Sequence, residues 1–293
     1  MRRALVLLPP FLWLLLLVAA PLLILGAIAL AEGSPGVPPF LAPLGWEGGP
    51  VWRGSLESLS LLATDGYYAG AVARSLWVAL AVAALCLLVA YPMALGIAGA
   101  TPRRRVPLLL LVLLPFWTGF LPRLGAWVGL LRDGGWVNGM LGAAGIGPLR
   151  LLYTDGAMLL GMVHAYLPFA VLPLAASLLR RDPALEEAAA DLGAGPFAVF
   201  RTVTLPLSLP GAAAGFLLVF IPAAGEYVIP ELLGPPEATL VGRVLWGEFF
   251  QNRDWPLAAS LALGLLALLL LPIRLFQRLG GEGPASPPGP AGR

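Results

Sequence analysis

No lysine occurs in the 293 residues, and cysteine and histidine occur once each. A single cysteine excludes an intrachain disulfide and any structural metal site built from cysteines. Cys86 lies in an apolar run, where it packs as a small hydrophobe. Charge is scarce: 12% of residues are charged, with 18 arginines against 16 acids. That balance gives no sign of nucleic acid as a partner. The motifs His-Glu-x-x-His, Gly-x-Ser-x-Gly and Gly-x-x-x-x-Gly-Lys are all missing. Without a phosphate loop the chain does not hydrolyse ATP by that route, so no catalytic residue, resident metal or bound cofactor is expected.

What the sequence has in abundance is apolar length. It is 59% hydrophobic with a mean hydropathy of +0.86, beyond soluble globular domains. The fold class is all-α, a polytopic membrane protein with six transmembrane helices. Ala4 to Ala31 is long enough to cross about 30 Å of hydrocarbon. Ala29-Leu30-Ala31 mimics a signal-peptide cleavage site, but the apolar part exceeds the usual 7 to 15 residues, so it reads as an uncleaved first span. Further spans run from about Ala71 to Gly99, Val106 to Leu131, Leu151 to Leu178, Ser208 to Ile229 and Pro256 to Phe276. This gives three regions: residues 1–69 with the first span and an external loop, 70–276 with a five-helix core, and 277–293 as a disordered tail. Glu32 to Ala69, rich in Gly, Pro and Trp, is expected to be a loop with short helices.

Six spans put both termini on one side, and arginine says which. Arg2, Arg3, Arg103, Arg104, Arg105, Arg180, Arg181, Arg201, Arg274, Arg278 and Arg293 share one face. The other face has Arg53, Arg132, Arg150, Arg243 and Arg253, with Arg74 and Arg123 near or within spans. Both termini and the 180–207 loop are therefore expected in the cytoplasm. The acids show the reverse bias. Either the outer mouth is acidic and concentrates a cation, or acids fill loops from which arginine is excluded.

Ionisable groups at membrane depth point to function. Glu226 and Glu231 follow Pro222, Gly225 and Pro230 at the outer end of the fifth span, where irregular backbone fits a lined passage. A structural ion pair of either acid with Arg123 is the other reading. Trp117, Tyr227, Trp246, Phe249, Phe250 and Trp255 crowd the same side. Some belong to an interfacial belt, yet carboxylates among aromatic faces suit an organic polycation through charge and cation–π contacts. The substrate-path candidates are thus Glu226, Glu231, Tyr227, Trp117, Asp254 and Trp255, the last two also open to a contact with a delivering protein. His164, in the fourth span, fits a packed residue better than a proton relay. Gly211 and Gly215 place small residues where the fifth span packs closely on a neighbour.

Arg180 to Leu207 is the longest polar stretch of the second half, set between two spans. Asp182 suits an N-cap, Pro183 the first helical position and Gly193 the left-handed residue past the end. Leu185, Ala188, Ala189 and Leu192 form one apolar stripe on an acidic cylinder, a shape for a groove on another protein rather than for anionic lipid.

Glu187-Ala188-Ala189, three residues, Gly193, nine residues, then Val203-x-Leu205-Pro206 resembles the EAA loop of bacterial ABC importer permeases. Val203 in place of Ile is the one departure. The resemblance implies a type I ABC importer permease fold in which Glu187, Ala188, Ala189, Gly193, Leu205 and Pro206 couple to an ATPase. Phe220 to Gly234 (FIPAAGEYVIPELLG), Gly242 to Pro256 (GRVLWGEFFQNRDWP) and LLPFWTGFLPRLGAWVGLL in the third span are similar to the spermidine/putrescine importer permeases, the first of their two permease subunits. That similarity covers about 70 to 290. It implies a non-enzymatic subunit of the bacterial inner membrane that works with a second homologous permease, an ATPase dimer holding ATP and Mg, a substrate-binding protein, membrane lipid and a polyamine. Two alternatives stand beside it. One is the same machine with a metal chelate, thiamine or an oxyanion as cargo; the other is an intramembrane hydrolase or passive channel using His164 and the buried acids, which gives no account of the loop spacing.

Overall fold

A computed structural model describes residues 2–280. Five helices among them are long and apolar enough to cross a membrane: Leu7–Ala29, Gly66–Gly99, Asp155–Leu179, Pro196–Ala224 and Trp255–Gln277. A sixth is counted if Pro102–Trp117 and Phe120–Ala143 form one span, and that pair is bent by 85°. Apolar composition hides such a break. Pro115 and Pro122 each remove a backbone donor, and Thr118 turns extended beside Gly119, so the expected continuous span from Val106 to Leu131 is two helices instead.

The described residues divide into two compact units interleaved along the chain. The first holds the residues up to Val78, Trp127–Met158 and Ala223–Leu268. Its opening helix passes through a π-helical turn at Leu15–Ala19 and ends at Ala29. The loop from Glu32 to Ala69 is not made of short helices alone. Strands β1 (Glu32–Gly33) and β2 (Phe40–Leu41) pair antiparallel, as do β3 (Leu44–Trp46) and β4 (Pro50–Trp52), before a helix at Glu57–Thr64. Ala71, Val241, Val244 and Leu261 form a core cluster, with Leu62, Tyr68, Val72 and Leu265 packed against it. A buried hydrogen bond of 2.8 Å from the Val241 N–H to Ser75 Oγ fixes one end of that core.

The second unit holds Ala79–Ala126, Leu159–Pro222 and the described residues from Leu269 on. It packs closely where the expected small residues lie. A Cβ on Gly211 would stand 2.4 Å from Ser177 Cβ, and one on Gly215 would stand 3.0 Å from the Ala170 carbonyl oxygen. Glycine at i and i+4 lets the fifth span reach the backbone of the fourth. Tyr91 and Ser208 share a hydroxyl hydrogen bond of 2.7 Å, and Cys86 is fully buried with Sγ 3.7 Å from the Val163 carbonyl.

Two further boundaries differ from expectation. The fifth span was expected from Ser208 to Ile229. It starts earlier, through a helix at Pro196–Val199 and a π turn at Phe200–Thr204, and its helix ends at Ala224. Ile229 belongs to a separate helix, Val228–Leu233. The last helix runs Trp255–Gly280, past the expected start of the tail at 277; residues 281–293 lie outside the described residues.

Candidate functional site

In the second unit the loop helix spans Ala184–Asp191, slightly shorter than expected, and its caps follow from local chemistry. Asp182 Oδ1 accepts the Ala184 N–H at 3.0 Å, while Pro183 already has helical dihedrals. At the other end Gly193 sits at φ +89°, its N–H bonded to Ala190 O at 2.9 Å, and the Ala194 N–H bonds to Ala189 O at 3.1 Å. These two bonds form a Schellman motif, which needs a left-handed residue at Gly193. Glu187 and Ala188 are exposed and Ala189 is half-buried; Leu192 is 90% exposed and Leu185 49%. The apolar stripe thus lies largely uncovered by the described residues. Leu205 and Pro206 open the helix that follows the π turn.

Glu186, one residue before the motif, escaped the sequence reading. Its Oε1 accepts both the Arg181 guanidinium and the Thr204 hydroxyl. Thr204 is the last residue of the π turn and is buried. Phe200, at the start of that turn, meets Tyr91 edge-on at 5.9 Å. The loop helix is therefore tied to the entry of the fifth span by a charge-assisted pair and a hydroxyl. Burial made the signal invisible, since Glu186 and Glu187 look alike in sequence.

In the first unit the fifth-span helix ends and the backbone turns through Gly225–Tyr227, where the Glu226 and Gly225 carbonyls lie 2.5 and 2.8 Å from where a Gly242 Cβ would be. Only glycine at 242 permits that approach, so the two segments Phe220–Gly234 and Gly242–Pro256 meet. Glu226 Oε1 accepts the Val228 and Ile229 N–H groups at 2.9 and 3.3 Å and so caps Val228–Leu233. Glu231 pairs with Arg243, Oε2 to Nε at 2.9 Å; the expected partner Arg123 belongs to the other unit. There the Arg123 guanidinium donates to Pro115 O at 3.1 Å and lies 5.8 and 5.7 Å from the Phe116 and Phe120 ring centres. Asp254 Oδ1 accepts the Leu257 N–H at 3.0 Å, capping the last span.

The aromatic side chains form a continuous ladder. Tyr227 stacks on Trp246 at 4.6 Å, Trp246 meets Phe250 at 4.1 Å, Phe250 meets Phe249 at 4.8 Å, and Phe249 stacks on Trp255 at 4.8 Å. Phe40 of β2 closes it at 6.0 Å from Trp255. Burial, and then the Glu231 carboxylate, hold the Tyr227 phenol above its ordinary pKa against the opposing pull of Arg243. Trp117 is not part of this ladder; it lies in the second unit, 84% exposed. Glu248, outside the expected set, is buried on a π turn between Trp246 and Asn252.

Residues 3–279 match the family described as binding-protein-dependent transport system inner membrane component. The chain is 41% identical over 213 residues to the spermidine/putrescine transport system permease protein PotB of Haemophilus influenzae, covering 72% of this chain and 74% of that one. It is 35% identical over 216 residues to the protein of that name from Escherichia coli, covering 73% and 78%. Its backbone is similar to a chain in the crystal structure of a bacterial ABC transporter involved in the import of the acidic polysaccharide alginate, with TM-score 0.64 at 20% identity over 94% of each chain. At that identity the likeness shows the fold, that of an ABC importer permease. With the family match spanning nearly its whole length, the chain belongs to the binding-protein-dependent transport system inner membrane components.

Proposed function

We propose that the chain is a permease subunit of an ATP-driven polyamine importer, carrying spermidine or putrescine into the cell. The observation that carries this reading is the aromatic ladder from Tyr227 to Trp255 with the Glu231 carboxylate near its Tyr227 end, because cation–π faces beside a carboxylate suit extended organic cations. The two segments that build the ladder are those that resemble polyamine permeases, and the Haemophilus and Escherichia relatives bear that name. The chain is the first of two permease subunits, spans the inner membrane with both termini in the cytoplasm, and receives cargo from a binding protein outside.

ATP and Mg bind on a partner ATPase dimer. The exposed face of Ala184–Asp191, with Glu187, Ala188, Ala189 and Gly193, docks onto that ATPase, and Leu205 and Pro206 pass the movement to the fifth span. Differential contacts with the open and closed ATPase bias the permease between inward-open and outward-open arrangements. The substrate path runs by Glu226, Tyr227, Glu231 and Trp255, with Asp254 supporting it as a helix cap. The test is co-purification of the chain with its ATPase and second permease, followed by ATPase assay with loaded binding protein. Stimulation by spermidine-loaded protein alone is expected; stimulation by an oxyanion or thiamine instead would reassign the cargo.

A further inference from the structure

The turn after Trp246 holds a carboxylate that no resemblance assigns. Gly247–Gln251 is a π-helical turn, closed by the Asn252 N–H on Gly247 O at 2.9 Å, and Glu248 points inward from it, 8% exposed. Single π turns inside helices recur at functional sites, since the extra residue re-aims a side chain. Glu248 Oε1 accepts the Tyr68 hydroxyl at 3.1 Å and Oε2 accepts the Asn252 side-chain amide at 2.8 Å. Both donors are neutral. A carboxylate has about four acceptor positions, so two remain, and a buried charge met only by neutral donors is incompletely compensated.

Glu248 lines a cleft of about 380 Å³ together with Tyr67, Glu237, Arg243, Gln251 and Asn252. Among the described residues lining it, Arg243 is the one cation, and its guanidinium is already committed to Glu231 at 2.9 Å and to the Pro235 carbonyl at 3.0 Å. Glu237, exposed, adds a second negative charge. The cleft therefore has the charge sign, the polar lining and the open acceptor positions for an ammonium group.

We propose that this cleft is an amine subsite of the permease, in which Glu248 receives one ammonium group of an aliphatic di- or polyamine. Glu248 is thereby a specificity-determining residue that selects primary amines over neutral molecules of the same length. The inference rests on the polyamine reading and deepens it, by naming a residue of this chain that binds the cargo without the binding protein.

The experiment uses the whole permease–ATPase complex in lipid nanodiscs, free of binding protein. Thermal stability is followed while putrescine, and in parallel uncharged 1,4-butanediol, is added at low and high ionic strength. The wild-type complex should be stabilised by putrescine, less so at high salt, and not by the diol. Glu248→Gln preserves size and the capacity for hydrogen bonds to Tyr68 and Asn252 but removes the charge; its half-saturating putrescine concentration should rise about 10-fold or more and lose its salt dependence, as expected for loss of about 1.4 kcal/mol. Glu248→Asp, which keeps the charge, should recover part of the affinity and serves if the glutamine variant assembles poorly. An unchanged midpoint in Glu248→Gln, or no putrescine response in the wild type, overturns the subsite. The polyamine reading is judged separately by uptake in the wild type: uptake with an unchanged Glu248→Gln midpoint sinks the subsite alone, whereas a Glu248-dependent response without uptake sinks the transport reading alone.

Discussion

The hydroxyl of Thr204 donates to the carboxylate of Glu186, joining the loop helix to the last residue of the π turn that opens the fifth span. The two side chains lie 18 residues apart in sequence, and the same carboxylate oxygen accepts Arg181. Glu186→Ala should leave a half-buried guanidinium without its partner and release the helix locally, at a cost of about 1–3 kcal/mol. Amide exchange in Ala184–Asp191 should speed up about tenfold, and uptake per ATP hydrolysed should fall. Unaltered exchange there would show that the tie does not hold the helix.

Gly193 tests the same loop from its other end. Its φ of +89° costs about 1–2 kcal/mol for a residue with Cβ, although no atom lies within 4 Å of where that Cβ would be. The penalty is thus backbone strain alone. Gly193→Val should disturb the Schellman end and uncouple ATP hydrolysis from uptake, whereas Gly193→Asn should do so less. A valine variant with unchanged coupling would contradict docking through this helix end.

Gly211 and Gly215 carry the close approach of the fourth and fifth spans. Gly211→Ala would set a methyl group 2.4 Å from Ser177 Cβ, and overpacking of that kind costs about 1–3 kcal/mol. The Tm of the purified complex should drop, more for Gly211 than for Gly215. Gly129, with nothing within 4 Å of where its Cβ would be, is the control, and Gly129→Ala should not lower the Tm.

Glu231 and Arg243 separate an ion pair from a cargo site. Glu231→Gln should lower uptake while assembly with the ATPase persists. In the double variant Glu231→Gln, Arg243→Gln both charges are gone; if the carboxylate serves the cation, uptake should stay low. Restoration by the second substitution would make the pair structural.

Local chemistry was legible in the sequence, and tertiary chemistry was not. Asp182 and Gly193 declared the ends of the loop helix because capping depends on neighbours along the chain. The Gly211 and Gly215 spacing likewise gave the close crossing. The bend near Gly119 was missed because hydropathy is blind to direction, although Pro115, Gly119 and Pro122 stood in that run. Pairing Glu231 with Arg243 rather than Arg123 required knowing which segments meet, as did the burial of Glu248 beneath Tyr68. The aromatic residues from Tyr227 to Trp255 were named from sequence, but Phe40 was not, and the stacking order through the π turn is one that no hydrophobic period announces.

The central claim is ATP-driven import of a polyamine. It is tested most directly by uptake of labelled spermidine and putrescine into vesicles holding this chain, the second permease and the ATPase, with binding protein outside and ATP enclosed. The account predicts uptake that needs ATP and is competed by polyamines but not by molybdate or thiamine. A complex that assembles and hydrolyses ATP yet moves no polyamine would contradict it.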